Sequence, residues 1–264
     1  LGNVVELVAG TSHSCARTRE GRVTCWGDNA RGQLGTATEP TRYGARTVAL
    51  TGTVTQLAAG GDRTCARRVD GTVVCWGAAP TAAVPAQPEP LTLPDMQVVA
   101  GLAVRGDELC AFDDVGRVQC RVVDRLASHT PPPNATVGAT AARVIELSFT
   151  DRGLCALRTD GSVDCLQSPL GRDGSFIVAG PSGFGEHPSL VGMPSGLGAA
   201  TQLAGGSDHL CALQRSGEVR CRGLGSQGQL GNGTFTDDER GAAPVLDLLD
   251  AIELASGTHH SCAR

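Results

Sequence analysis

Apolar residues in this chain recur at fixed offsets from its cysteines. Leu stands eight residues before a cysteine in six places (Leu7, Leu57, Leu102, Leu147, Leu203, Leu254). Ala follows that cysteine each time (Ala16, Ala66, Ala111, Ala156, Ala212, Ala263). Where the chain runs on far enough, Gly lies six residues after it (Gly21, Gly71, Gly116, Gly161, Gly217) and Val eight after (Val23, Val73, Val118, Val163, Val219). The marks are 50, 45, 45, 56 and 51 residues apart, a period that signals a solenoid, propeller or array. Each repeat predicts three short strands. The first covers Val4–Ala9, Val54–Ala59 or Val144–Phe149, the second carries the first cysteine, and the third carries the Val and a second cysteine. A turn ending in Gly, such as Val69-Asp70-Gly71 or Thr159-Asp160-Gly161, joins the last two. Asp-Gly between β runs marks a hairpin, because Gly takes φ > 0 at no steric cost.

The hairpin is symmetric about its turn, so residues ten apart face each other. Ten of the eleven cysteines fall into such pairs: Cys15/Cys25, Cys65/Cys75, Cys110/Cys120, Cys155/Cys165 and Cys211/Cys221. Opposed Cβ atoms about 4.5–5.5 Å apart can be bridged after small adjustment. Structural zinc instead favours knuckles of two to four intervening residues, where one turn presents both thiolates, so disulfides are the expectation. On a loop-entropy basis each clip contributes at most about 2.8 kcal/mol. Such cysteine usage implies a secreted, periplasmic or cell-surface location. Cys262 is left unpaired.

Composition agrees with many short elements: 36 Gly and 14 Pro among 264 residues, with aromatics at only 3%. The clips would offset a core poor in large side chains. Net charge is −5, which argues against nucleic acid as a partner, since phosphate neutralisation needs clustered Lys and Arg. No run of 18 apolar residues is present, so no membrane-spanning helix is expected.

The first repeat reads Ala9-Gly10-Thr11-Ser12-His13-Ser14-Cys15-Ala16, then Gly21-Arg22-Val23-Thr24-Cys25-Trp26-Gly27-Asp28-Asn29, then Gly32-Gln33-Leu34-Gly35. The fifth matches through Ala204-Gly205-Gly206, His209, Cys211-Ala212-Leu213 and Gly228-Gln229-Leu230-Gly231. The second keeps Cys75-Trp76-Gly77, and the last keeps His259-His260-Ser261-Cys262-Ala263. This pattern resembles the repeat of the regulator of chromosome condensation family, over the whole chain. The resemblance implies an all-β propeller of four-stranded blades, commonly seven. Trp-Gly is lost in repeats three to five, where Arg121, Leu166 and Arg222 follow the second cysteine, and Gly-Gln-Leu-Gly is absent from repeats two to four. Cysteines at these positions look like the cysteine-rich bacterial secreted version of the family, so nuclear exchange-factor activity is not carried over.

The chain is expected to form a single repeat domain over 1–264, with repeats near 1–50, 51–94, 95–140, 141–198, 199–250 and a partial one at 251–264. The partial repeat reads as a fragment of a longer propeller, or Cys262 pairs elsewhere. Connectors carry the variation: Ala78–Pro94 and His129–Thr140 are Pro-rich, and Gln167–Gly198 is the longest. The last holds Phe176, Phe184, His187 and Met193. Binding residues concentrate on loops of rigid scaffolds, which makes these four the candidate binding loop.

Catalytic chemistry finds little support. His13 and His209 precede a cysteine, but Arg63, Glu108 and Gly153 fill the same position in other repeats; a structural role at a strand start is the reading. Asp113-Asp114, Asp237-Asp238-Glu239 and Asp247 lack calcium-loop spacing, and Gly223–Gly233 lacks the Lys-Ser or Lys-Thr of a phosphate loop. No cofactor or metal is expected. The leading expectation is a non-enzymatic extracellular binding or scaffold propeller for a protein partner. Alternatives are a glycan-binding module using Trp26, Trp76 or Tyr43, an enzyme with a cleft assembled from several repeats, and a structural subunit of a surface assembly.

Overall fold

A computed structural model describes residues 2–36, 44–77, 90–93, 96, 98–123, 142–151, 153–167, 179–180, 183–184 and 197–264. Every regular element among them is a β-strand. The chain divides into two compact units, one of Leu1–Asp114 with Gln119–Pro133 and the other of Val115–Val118 with Asn134–Arg264.

In the first unit, β1 (Val4–Ala9), β2 (His13–Thr18), β3 (Val23–Gly27) and β4 (Arg46–Thr47) form one antiparallel sheet in chain order. A second follows from β5 (Val54–Gly60), β6 (Arg63–Arg68), β7 (Val73–Gly77) and β8 (Leu91–Leu93). A third contains β9 (Val99–Arg105), β10 (Glu108–Asp113) and β11 (Val118–Val122). The second unit contains β12 (Val144–Thr150), β13 (Gly153–Arg158) and β14 (Val163–Gln167), then the short pair β15 (Ala179–Gly180) and β16 (Gly183–Phe184). After these come the four-stranded sheet of β17 (Ala200–Gly205), β18 (His209–Gln214), β19 (Val219–Gly223) and β20 (Asp238–Pro244), and the pair β21 (Leu254–Ser256) and β22 (Ser261–Ala263).

The fixed offsets of the sequence are cross-strand partners. The repeating Leu lies opposite the repeating Ala in all six repeats: Leu7 with Ala16, Leu57 with Ala66, Leu102 with Ala111, Leu147 with Ala156, Leu203 with Ala212 and Leu254 with Ala263. A small residue opposite a large one lets the Leu lie across the sheet face, and five of the six Leu are at most 7% exposed. Leu7 is the exception at 63%.

All five ten-residue pairs are disulfides: Cys15–Cys25, Cys65–Cys75, Cys110–Cys120, Cys155–Cys165 and Cys211–Cys221. The partners face each other directly on the ladder, as in Cys15 with Cys25, Cys65 with Cys75, Cys155 with Cys165 and Cys211 with Cys221. The clips are not the uniform set that the sequence repeat suggests. Cys120 is 7% exposed and Cys165 6%, whereas the other eight paired cysteines are at most 1%. The difference runs with the neighbouring strand among the described residues. Cys25, Cys75 and Cys221 each face a residue of a fourth strand, Arg46, Leu91 and Ala243. Among the described residues no fourth strand pairs with β11 or β14, the strands that carry Cys120 and Cys165.

A register shift recurs at the start of the first strand of a repeat, between Val4 and Glu6, Val54 and Gln56, Val144 and Glu146, and Ala200 and Gln202. Such a bulge re-aims the side chain that follows it. Within each unit, core clusters lie between consecutive sheets. Val23, Cys25, Leu34 and Val48 of the first repeat pack with Val54, Leu57, Val74 and Trp76 of the second. Val219, Cys221 and Leu230 of the fifth pack with Ala251 and Leu254 of the sixth.

The turn glycine is also a contact between repeats. Gly71 has φ +80°, and a Cβ placed on it would sit 2.8 Å from Val98 Cα and 3.0 Å from Val98 N. Val99 N–H donates to the Gly71 carbonyl at 3.0 Å. Ala200 and Ala251 donate in the same way to Gly161 and Gly217, each at 3.1 Å.

Candidate interaction surface and its supporting seams

Two histidines stitch consecutive repeats together. The His13 ring lies over Gly10, where a Cβ would meet its Cε1 at 2.3 Å, and its Nε2 is 2.7 Å from Thr64 Oγ1. Thr64 Oγ1 also lies 3.7 Å from Cys15 Sγ. The fifth repeat repeats the arrangement. His209 lies over Gly206, its Nε2 is 2.8 Å from Ser261 Oγ, and that hydroxyl is 3.4 Å from Cys211 Sγ. The partner hydroxyl comes from the following repeat in both. Neither Nδ1 has a partner in its buried position. Burial holds both imidazoles below their ordinary value. For His13, Asp62 and Asp28 pull the other way; for His209, neighbouring His259 and His260 add to the effect and Asp208 opposes it. Neutral histidines whose neighbouring sulfurs are already in disulfides hold the seam and offer no Cys/His nucleophile.

The Gly-Gln-Leu-Gly loops are fixed by their own side chains. Gln33 Nε2 donates to Asp28 Oδ2 at 3.1 Å, Gln33 Oε1 accepts from Arg31 N at 2.8 Å, and Asn29 Oδ1 accepts from Leu34 N at 3.0 Å. The Gln33 carbonyl accepts the Trp76 indole N–H of the next repeat at 3.0 Å. Trp76 is 0% exposed, which removes it as a sugar-stacking platform; Trp26 is partly exposed, and Tyr43 lies outside the described residues. In the fifth repeat, Gln229 Oε1 accepts from Gln227 N at 2.9 Å and Asp237 Oδ1 from Gly225 N at 2.9 Å.

On this second, pinned loop and on the segment after β20 the molecule shows apolar side chains to solvent. Phe235 is 76% exposed, Leu246 55%, Leu249 83% and Ile252 68%. The Phe235 ring lies beside Gly228, and Leu246 packs beside Gly233. Leu246 N–H donates to the Gly231 carbonyl at 2.9 Å, which ties the segment after β20 to the loop. A neighbouring cleft of about 210 Å³ is lined by residues including Leu230, Val245, Leu248, Leu254, His259 and Cys262.

Of the residues singled out by sequence, the ten paired cysteines are buried within the sheets, Cys120 and Cys165 less deeply than the rest. Cys262 is exposed on β22 and in no disulfide. Phe176, His187 and Met193 lie outside the described residues, and Phe184 is described only as part of β16. Phe235 and its apolar neighbours escaped the sequence reading. Their one signal was an aromatic inside an otherwise polar loop, Asn232-Gly-Thr-Phe-Thr-Asp. Among the described residues, no three His, Cys, Asp or Glu side chains come together as a metal site, and no helix is long and apolar enough to cross a membrane.

Four-stranded antiparallel sheets in chain order, packed on one another within each unit and each clipped by a disulfide, define a β-propeller protein built of tandem blades. The family profile of the Regulator of chromosome condensation (RCC1) repeat matches residues 4–33, 54–78 and 200–229. The chain is similar in structure to human WBSCR16 (20% identity, 99% of this chain and 71% of that one, TM-score 0.75). It is similar also to Prp20p from Saccharomyces cerevisiae (15% identity, 98% and 82%, TM-score 0.60). A third is the ectodomain of the Arabidopsis thaliana receptor kinase ACR4 (15% identity, 100% and 92%, TM-score 0.50). No curated protein matches this chain significantly in sequence.

Proposed function

We propose that this chain is a non-enzymatic binding scaffold of an oxidising compartment, secreted, periplasmic or at the cell surface, and that it takes a protein partner on the loops of its fifth blade. The observation that carries the reading is Phe235, exposed on a loop pinned by side-chain hydrogen bonds, with exposed Leu246 tied to that loop through the Gly231 carbonyl. Exposed apolar residues grouped on rigid loops favour association, because burying them releases water at little ordering cost. Five disulfides suit an extracellular setting. Among the similar structures, Prp20p is described with its binding to Gsp1p and histones, and ACR4 contributes an ectodomain. The net charge of −5 disfavours a nucleic-acid partner.

The test places a photo-crosslinking amino acid at position 235, and at position 69 as a control, in the protein in its native source. Val69 is 70% exposed but lies on a hairpin turn of the second repeat. The expected result is a covalent adduct of discrete mass from position 235, absent from position 69 and lost on L246S. Equal labelling at both positions, or none, would sink the reading.

A further inference from the structure

The residue that follows the first-strand bulge joins neighbouring blades. In two seams it is a glutamine whose amide grips both backbone groups of one leucine in the next repeat. Gln56 Nε2 donates to the Leu102 carbonyl at 3.1 Å, and its Oε1 accepts from Leu102 N at 3.1 Å. Gln202 does the same to Leu254, at 3.1 and 2.8 Å. In the seam between the fourth and fifth blades the position holds Glu146, and both of its oxygens lie 3.2 Å from Leu203 N. A carboxylate can accept that N–H but has no proton to give to the leucine carbonyl. The first repeat also has a glutamate here, but Glu6 faces Arg17 across the ladder and pairs with it at 2.6 Å. Glu146 faces Leu157.

We propose that Glu146 is a proton-operated latch: protonated, it closes the seam between the fourth and fifth blades as a glutamine does, and ionised, it loosens it. β12 packs against β13 and β17. β12 carries no other charged residue, and β17 carries none. β13 carries Arg158, whose Nε donates to Asp164 Oδ2 of β14 at 2.7 Å and whose Nη1 donates to the Ala142 carbonyl at 3.1 Å. Arg143, which precedes β12, is exposed. Burial raises the carboxyl to about 7, with the Leu203 N–H opposing, so the latch works near neutral pH. Because the folded value lies above the ordinary one, the closed seam is fully favoured below the ordinary value near 4.5 and is lost as pH rises through about 7. Ser148 Oγ, which accepts from Gly205 N at 2.9 Å, remains as the pH-independent bond of the same seam.

The experiment is amide hydrogen exchange of Leu203 on the intact oxidised chain between pH 6 and 8.5, corrected for intrinsic exchange. It compares the native sequence with E146Q and E146A. From linkage between an open form titrating at 4.5 and a closed form at about 7, opening should rise roughly tenfold across that range. E146Q should stay protected at every pH, and E146A should be weakly protected at every pH. A native chain with flat protection, or an E146Q chain that keeps the slope, overturns the latch.

Discussion

Placing a methyl group on two glycines of the first unit separates local strain from a contact between blades. Gly71 and Gly106 both have positive φ, +80° and +55°. A Cβ at Gly106 meets nothing within 4 Å, so Gly106→Ala should cost only the left-handed penalty of roughly 1–2 kcal/mol. Gly71→Ala carries the same penalty and also drives its methyl to 2.8 Å from Val98 Cα. That obstacle is backbone, so no rotamer relieves it, and overpacking of this kind costs roughly 1–3 kcal/mol. If the next blade moves away, the bond from Val99 N to the Gly71 carbonyl is lost, about 1 kcal/mol more. The expected difference between the variants is therefore about 2–4 kcal/mol. Urea unfolding under non-reducing conditions, followed by tryptophan fluorescence, reports it. Both tryptophans lie in the first two repeats, and Trp76 is fully buried beside the affected hairpin. If the two variants unfold within about 0.5 kcal/mol of each other, the turn glycine serves its own hairpin alone.

Two further outcomes concern the histidine seams. Thr64→Val removes the hydroxyl that His13 uses and leaves Nε2 buried beside an Nδ1 already without a partner; it should destabilise by roughly 1–3 kcal/mol in the same assay, with T64S near native. Acid should weaken the fold through His13 and His209. Both are held below their ordinary value, so the unfolded chain binds more protons, and stability is full above about 6.5 and lost as pH falls toward the folded values. Thermal midpoints measured from pH 7.5 to 5 in the E146Q background, which removes the opposing carboxyl, should fall. The fall should be much smaller when both histidines are replaced by asparagine; an unchanged fall would show that other groups govern the acid limb.

The strands, the hairpin turns and the disulfides were legible because each is settled within about twenty residues and then repeated. The depth of each clip was not, because it depends on what packs over the hairpin and not on the hairpin alone. The offset of Leu from Ala was visible as a number, but only the register shows that the two are cross-strand partners. The histidines read correctly as structural from their variable position. Their partners did not, since Thr64 is 51 residues from His13 and belongs to a different repeat. The blade-joining position was overlooked although its signal was present: Glu6, Gln56, Glu146, Gln202 and Glu253 share one offset, and only Gly101 breaks the series. Gln and Glu look alike as polar strand residues until the backbone they grip is known. The apolar loop at Phe235 carried no periodic signal, since its exposure depends on the surrounding surface.

Because His13 finds its hydroxyl on Thr64, and Gly71 is shaped by Val98 and Val99, no repeat contains both halves of its own seams. The first repeat, excised and spliced in elsewhere, would bring a histidine without its hydroxyl, and the second a hydroxyl without its histidine. No segment one repeat long keeps this bond, because His13 and Thr64 lie 51 residues apart while the first two repeats are 50 residues apart. A duplicated repeat in a protein of this build should therefore persist only beside a neighbour that already carries the complementary half of its seam, so copies should accumulate in tandem and not as isolated insertions.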